Sequence, residues 1–80
     1  MDRNTLIQQL KALGQPTRLS LAVRLARREW GGGELLDAMK VSQPSLSRHV
    51  RILREAGLLR ERRDGRNVYY RLLDNNLAQA

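Results

Sequence analysis

Residues 42–54 read Ser42-Gln43-Pro44-Ser45-Leu46-Ser47-Arg48-His49-Val50-Arg51-Ile52-Leu53-Arg54, with hydroxyls, an amide and guanidiniums interleaved among apolar side chains. Hydroxyls donate and accept, and arginine offers a bidentate fork, so this set suits phosphate oxygens and base edges. A second cluster follows, where Arg60, Arg62, Arg63 and Arg66 surround Asp64-Gly65. Thirteen of the fifteen Lys+Arg residues are arginine. Residues 40–71 hold nine cations against Glu55, Glu61 and Asp64, and so carry +6 of the net +7. Charge localised in this way is a footprint for a polyanion, the plain alternative being a solvated basic face.

Few other chemistries find the residues they need. With no cysteine there is no thiolate metal site, thiol nucleophile or disulfide framework. One histidine and scattered carboxylates do not make a four-ligand metal site. There is no Gly-x-Ser-x-Gly elbow and no phosphate-loop motif. Eighty residues also leave little interior for an active-site pocket, so an enzyme is not expected. Composition is that of one ordinary globular domain over residues 1–80, at 41% hydrophobic and 29% charged. No apolar run is long enough to span a membrane, and Met1-Asp2-Arg3-Asn4 does not open a secretory signal, so a cytoplasmic location is the expectation.

The elements that must hold these side chains follow from periodicity and breakers. Leu6, Leu10 and Leu13 form one helical stripe that Gly14 can close in a left-handed cap. Pro16 opens a second helix running to about Arg28, its apolar face made of Leu19, Leu21, Ala22, Val23, Leu25 and Ala26. Trp30-Gly31-Gly32-Gly33 reads as a break, and Glu34 to Met39 as a short third helix. Ser42 is a good N-cap for a fourth helix, Gln43 to Glu55, that buries Leu46, Val50 and Leu53 and is closed by Gly57. Leu58 to Arg63 and Asn67 to Leu72 predict a two-stranded hairpin, with Val68, Tyr70 and Leu72 on one face and Tyr69 and Arg71 on the other. Leu73 to Ala80 begin a short C-terminal helix. The fold class is therefore mainly α with a two-stranded β-hairpin, in the order ααααββ and a helix stub.

Helices three and four, with the tight turn at Lys40-Val41, make a helix-turn-helix candidate, and the hairpin a wing beside it. Three segments in order carry a family resemblance: Lys11-Ala12-Leu13-Gly14-Gln15-Pro16-Thr17-Arg18-Leu19, Ser42 through Leu59, and Asp64-Gly65-Arg66-Asn67-Val68-Tyr69-Tyr70-Arg71-Leu72. The chain resembles the ArsR/SmtB family of bacterial repressors over about residues 6–74. That resemblance implies a winged helix-turn-helix homodimer that binds operator DNA and represses transcription, joined through its first and last helices. The family's usual sensor residues are missing. Where a Cys-x-Cys pair belongs there are Gly31 and Gly33, and where Asp-x-His belongs there is Asp74-Asn75-Asn76. No metal effector and no cofactor are expected.

Under this assignment Gln43, Pro44, Ser45, Ser47 and Arg48 stand at the reading end of the fourth helix, with Arg51 and Arg54 on phosphates. Arg62, Arg63 and Arg66 secure the wing on the backbone or in the minor groove. His49 flanks the buried stripe, where it either packs or reaches a phosphate. Trp30 either plugs the domain edge or lines an effector pocket. Leu6, Leu10 and Leu13 are expected to meet Leu73 and Leu77 across a dimer interface. The rival class is a basic winged helix that binds protein or RNA.

Overall fold

The computed structural model describes residues 2–73. Its elements run α1 (Arg3–Leu13), α2 (Pro16–Arg27), β1 (Trp30–Gly31), α3 (Gly32–Met39), α4 (Gln43–Glu55), β2 (Leu59–Asp64) and β3 (Asn67–Leu72). The three strands form one antiparallel sheet in the order β1-β3-β2, rather than an isolated hairpin. Trp30 pairs with Tyr70 and Gly31 with Tyr69, so the glycine-rich break is partly a third strand. Two residues are too few for alternation to show in sequence, which is why this strand is invisible there. The C-terminal helix stub, with Asp74, Asn76 and Leu77, lies outside the described residues.

Helix ends explain the boundaries. Asp2 caps α1 by accepting from Thr5 N at 2.6 Å, and that bond holds its carboxyl below the usual range. Gln15 caps α2 through Arg18 N at 2.8 Å, ahead of Pro16 at the first position. Gly14 has φ −79°, so α1 closes without the expected left-handed cap. In α3 the helix begins at Gly32, two residues earlier than its composition suggests. Glu34 reaches back to Gly31 N at 2.9 Å, satisfying a donor that a bare glycine start would leave open. Lys40, at φ 54°, makes the left-handed turn between α3 and α4.

The core lies where α2, α3, α4 and the inner sheet face converge on Leu21, Leu25, Leu35, Leu53 and Leu58, each almost completely buried. Helix α4 ends in two reciprocal bonds, Leu58 N to Leu53 O at 3.0 Å and Gly57 N to Arg54 O at 2.9 Å, with Gly57 at φ +78°. This is a Schellman closure, and the contact between Leu53 and Leu58 that accompanies it is part of the core. Gly65, at φ +62°, takes the first position of the two-residue wing turn, where glycine relieves the backbone.

Two apolar stripes are rotated from their expected positions. In α1 the buried residues are Gln9 and Ala12, while Leu13 packs against its own core and Leu10 is 57% exposed. Gln9 is drawn inward by its bond to Ala56 O at 3.2 Å, which ties α1 to the end of α4. In α2, Leu21, Ala22 and Leu25 are buried, but Leu19 and Val23 are about half exposed, at 49% and 46%. No helix among the described residues is long and apolar enough to cross a membrane.

Candidate nucleic-acid interface

Leu46, His49, Val50 and Leu53 define the inward face of α4. At 100° per residue, that leaves Pro44, Arg48, Arg51 and Glu55 as the outermost ridge. All four are exposed, as are Gln43, Ser47 and Arg54 on the flank nearer the wing. Ser42 caps the helix through Ser45 N at 3.2 Å, which fixes the helix start that presents Gln43 and Ser47. Ser45 is half-buried on the opposite flank. Gln43 Nε2 lies 3.4 Å from Ser47 Oγ, so the two polar groups are already oriented together. A groove of about 550 Å³ runs from the α3 start past Gln43 to Arg66, Asn67 and Tyr69, joining the helix and wing into one surface.

The arginines of this surface fall into three groups. Among the described residues Arg48, Arg51 and Arg66 have no carboxylate within ion-pair distance. Arg54 and Arg63 share one acid, Glu61, at 3.0 and 3.3 Å. Arg62 is different. It grips Glu29 through both oxygens, at 3.1 and 2.7 Å, and its guanidinium lies 4.5 Å from the Tyr69 ring centre. The Arg62 hydrogen bonds hold the Glu29 carboxyl below its usual range and raise Arg62 in turn. As packed, Arg62 staples β2 to the segment before β1, on the sheet face with Gly31 and Tyr69, instead of projecting toward a ligand. Glu29 and Glu61 are the site residues sequence reasoning missed. Glu29 is 33 positions from Arg62, and no local pattern links them.

His49 packs inward as well. It is only 4% exposed, which favours packing among its two expected roles. Arg18 anchors itself through Nε to Ala12 O at 2.7 Å and places Nη1 3.5 Å from His49 Nδ1. A guanidinium can only donate, so this contact suits a ring whose Nδ1 is free to accept. Burial, with Arg18 and then Arg48 nearby, lowers the His49 pKa below its ordinary 6.5. The folded form therefore takes up its proton at lower pH than the unfolded chain does. Its contribution to stability is complete above pH 6.5 and is lost as pH falls from there toward the lowered value. Urea unfolding followed from neutral to acid pH should show a decline below pH 6.5 that is shallower in His49→Gln. Identical profiles in the two chains would remove His49 from that account.

Among the described residues no group of three or more His, Asp or Glu is placed to hold a metal ion. Gly31 and Gly33 stand at the α3 start, and no side-chain donor is present at either position.

Comparison with known proteins agrees with this geometry. A family model described as "Helix-turn-helix domain" matches residues 13–62. The chain is 41% identical over 70 residues to the biofilm growth-associated repressor of Agrobacterium fabrum, covering 88% of this chain and 60% of the relative. It is 42% identical over 69 residues to the HTH-type transcriptional repressor SmtB of Mycobacterium tuberculosis, covering 86% of this chain and 51% of the relative. The chain thus spans between half and three fifths of the length of these curated relatives. The crystal structure of the transcriptional repressor BigR from Xylella fastidiosa superposes with a TM-score of 0.84 at 37% identity, over 95% of this chain and 78% of that one. Helix order, sheet and family match agree: the chain belongs to the ArsR/SmtB family of helix-turn-helix transcriptional regulators, which are not enzymes.

Proposed function

We propose that this chain is the operator-binding domain of a cytoplasmic transcriptional repressor. It lays α4 in a major groove and its wing against the neighbouring backbone or minor groove. The main support is the outward ridge of α4, where among the described residues Arg48 and Arg51 stand without a carboxylate in ion-pair distance beside Ser47, while Gln43 at the same helix start shares a groove with Arg66 of the wing. Gln43, Pro44, Ser47 and Arg48 face base edges, with Ser45 at their flank. Arg51 and Arg54 take phosphates, and Arg63 and Arg66 hold the wing down.

An operator selected from random duplexes tests this against a scrambled duplex. Arg48→Ala is expected to cost about 1–3 kcal/mol on the operator and to relax preference at particular base pairs. Arg66→Ala should weaken both duplexes alike. Tighter binding to single-stranded RNA of equal length would favour the rival class, and release by added zinc would sink the expectation of a metal-free regulator. If Arg48→Ala weakened both duplexes equally while Arg66→Ala erased preference, the roles of helix and wing would be exchanged.

The same reading includes a two-fold dimer through α1. Ile7 and Leu10 are exposed one helical turn apart, at 40% and 57%, with Leu6 half-buried beside them, an apolar edge that a second copy could cover. Leu73, the last described residue, donates its N–H to Leu58 O at 2.8 Å, and Leu77 lies outside the described residues. Light scattering at tens of micromolar should give a dimer that Leu10→Asp converts to monomer. A wild-type mass of one protomer, unchanged by operator DNA, would count against the dimer.

A further inference from the structure

We infer that the groove between the C-terminal half of α2 and Trp30 is a binding site for a small organic carboxylate with an apolar body. The groove is about 630 Å³ and is lined by Ser20, Val23, Arg24, Arg27, Arg28 and Trp30. It holds none of the residues assigned to DNA.

Three features point to this ligand chemistry. The first is unspent positive charge. Arg28 bonds Glu34 at 3.3 Å, and Glu29 is taken by Arg62, so the nearby acids are already engaged. Arg24 and Arg27 then have no carboxylate within ion-pair distance among the described residues. Both stand in the last turn of α2, and Arg28 follows as a third cation. The second is an orphaned donor. Arg24 Nε is buried without a hydrogen-bond acceptor among the described residues, a costly state that an anionic oxygen entering beside it relieves.

The third is a fixed apolar wall. The Trp30 indole N–H donates to Arg24 O at 3.1 Å, and Arg28 lies 3.8 Å above the ring centre, with Arg24 at 5.5 Å. The ring is held before any ligand arrives, which reduces the ordering cost of binding. Val23, at 46% exposure, adds a second apolar surface one helical turn, about 6 Å, from Arg27. Inorganic phosphate or acetate would leave Val23 and Trp30 unused, and an alcohol would leave Arg24 and Arg27 uncompensated. A carboxylate on a chain of several carbons satisfies both.

Trp30 is the chain's one tryptophan, so its emission reports on this groove directly. Octanoate titrated without DNA should change that emission saturably, while octanol, acetate and inorganic phosphate at equal concentration should not. Arg27→Gln should weaken octanoate binding by about tenfold or more, the loss expected for one charge-assisted contact. Val23→Glu, which sets a like charge in the apolar half, should weaken it as well. Both side chains are exposed, and unchanged circular dichroism checks that the variants fold. An octanol response equal to that of octanoate, an equal response to acetate or phosphate, no saturation, or an unchanged constant in Arg27→Gln would each overturn the site. With no DNA in the titration, its failure is separate from any failure of the operator-binding reading.

Discussion

Raising salt from about 50 to about 200 mM is expected to weaken operator binding by about 10²-fold per protomer. The magnitude follows from which cations are free. Arg48, Arg51 and Arg66 are without acidic partners among the described residues, while Arg54 and Arg63 divide the single charge of Glu61. That leaves about four effective charges for phosphates, and a slope of log affinity against log salt of about −3.6. Arg62 is left out because Glu29 already neutralises it. The slope therefore carries structural information beyond its sign. Arg66→Ala should make it shallower by about one, whereas Glu61→Gln should make it steeper by about one by freeing the pair it holds. Arg62→Ala should leave it nearly unchanged. Binding titrations at four or more salt concentrations measure all of these, and a flat wild-type plot would refute the phosphate footprint altogether.

The effect of Glu29 shows where sequence-level inference stops. Arg62 and Arg66 look equivalent along the chain, two arginines on either side of Asp64-Gly65. Folding makes them different, because Glu29 comes beside Arg62 only when β1 joins the sheet. Features set by neighbouring residues were legible. The Ser42 cap, the Leu46-Val50-Leu53 spacing and the Asp64-Gly65 turn place α4 and the wing within a residue of their expected bounds. Features set across long separations were not. Gln9 looks like a surface residue until Ala56 O, 47 positions away, accepts its amide. With that bond made, Gln9 and Ala12 are buried and Leu10 is left outside, while Gln9 Oε1 is buried with no partner among the described residues. Three glycines likewise read as a break from propensity alone, whereas the capping by Glu34 lets the helix begin among them.

Leu53→Ala is expected to cost about 2–5 kcal/mol, against a total stability of roughly 4–12 kcal/mol for a domain of this size. Leu53 is completely buried at the meeting of α4 with the core, and its own carbonyl receives the Leu58 N–H that closes the helix. Truncation leaves a cavity where the Leu53–Leu58 contact had backed that closure, so the lost methyl groups and the unsupported turn act together. With a urea dependence of about 1 kcal/mol per molar, the unfolding midpoint should fall by about 2 M or more. Arg51→Ala, two positions earlier and exposed, is the matched control on the same helix. Its stability should change by no more than about 0.5 kcal/mol, a midpoint shift of about 0.5 M or less, because no described neighbour depends on it. Operator affinity should divide the other way. Arg51→Ala should weaken binding in a fully folded protein, while Leu53→Ala should regain near-normal affinity wherever its folded fraction is restored by cooling or by excess DNA. The separation matters because α4 has two edges with different duties, an inward one that sets its position and an outward one that we propose meets the duplex. A Leu53→Ala protein that melts with the wild type would mean that α4 is not held by this contact, and its outward ridge would lose the support that aims it.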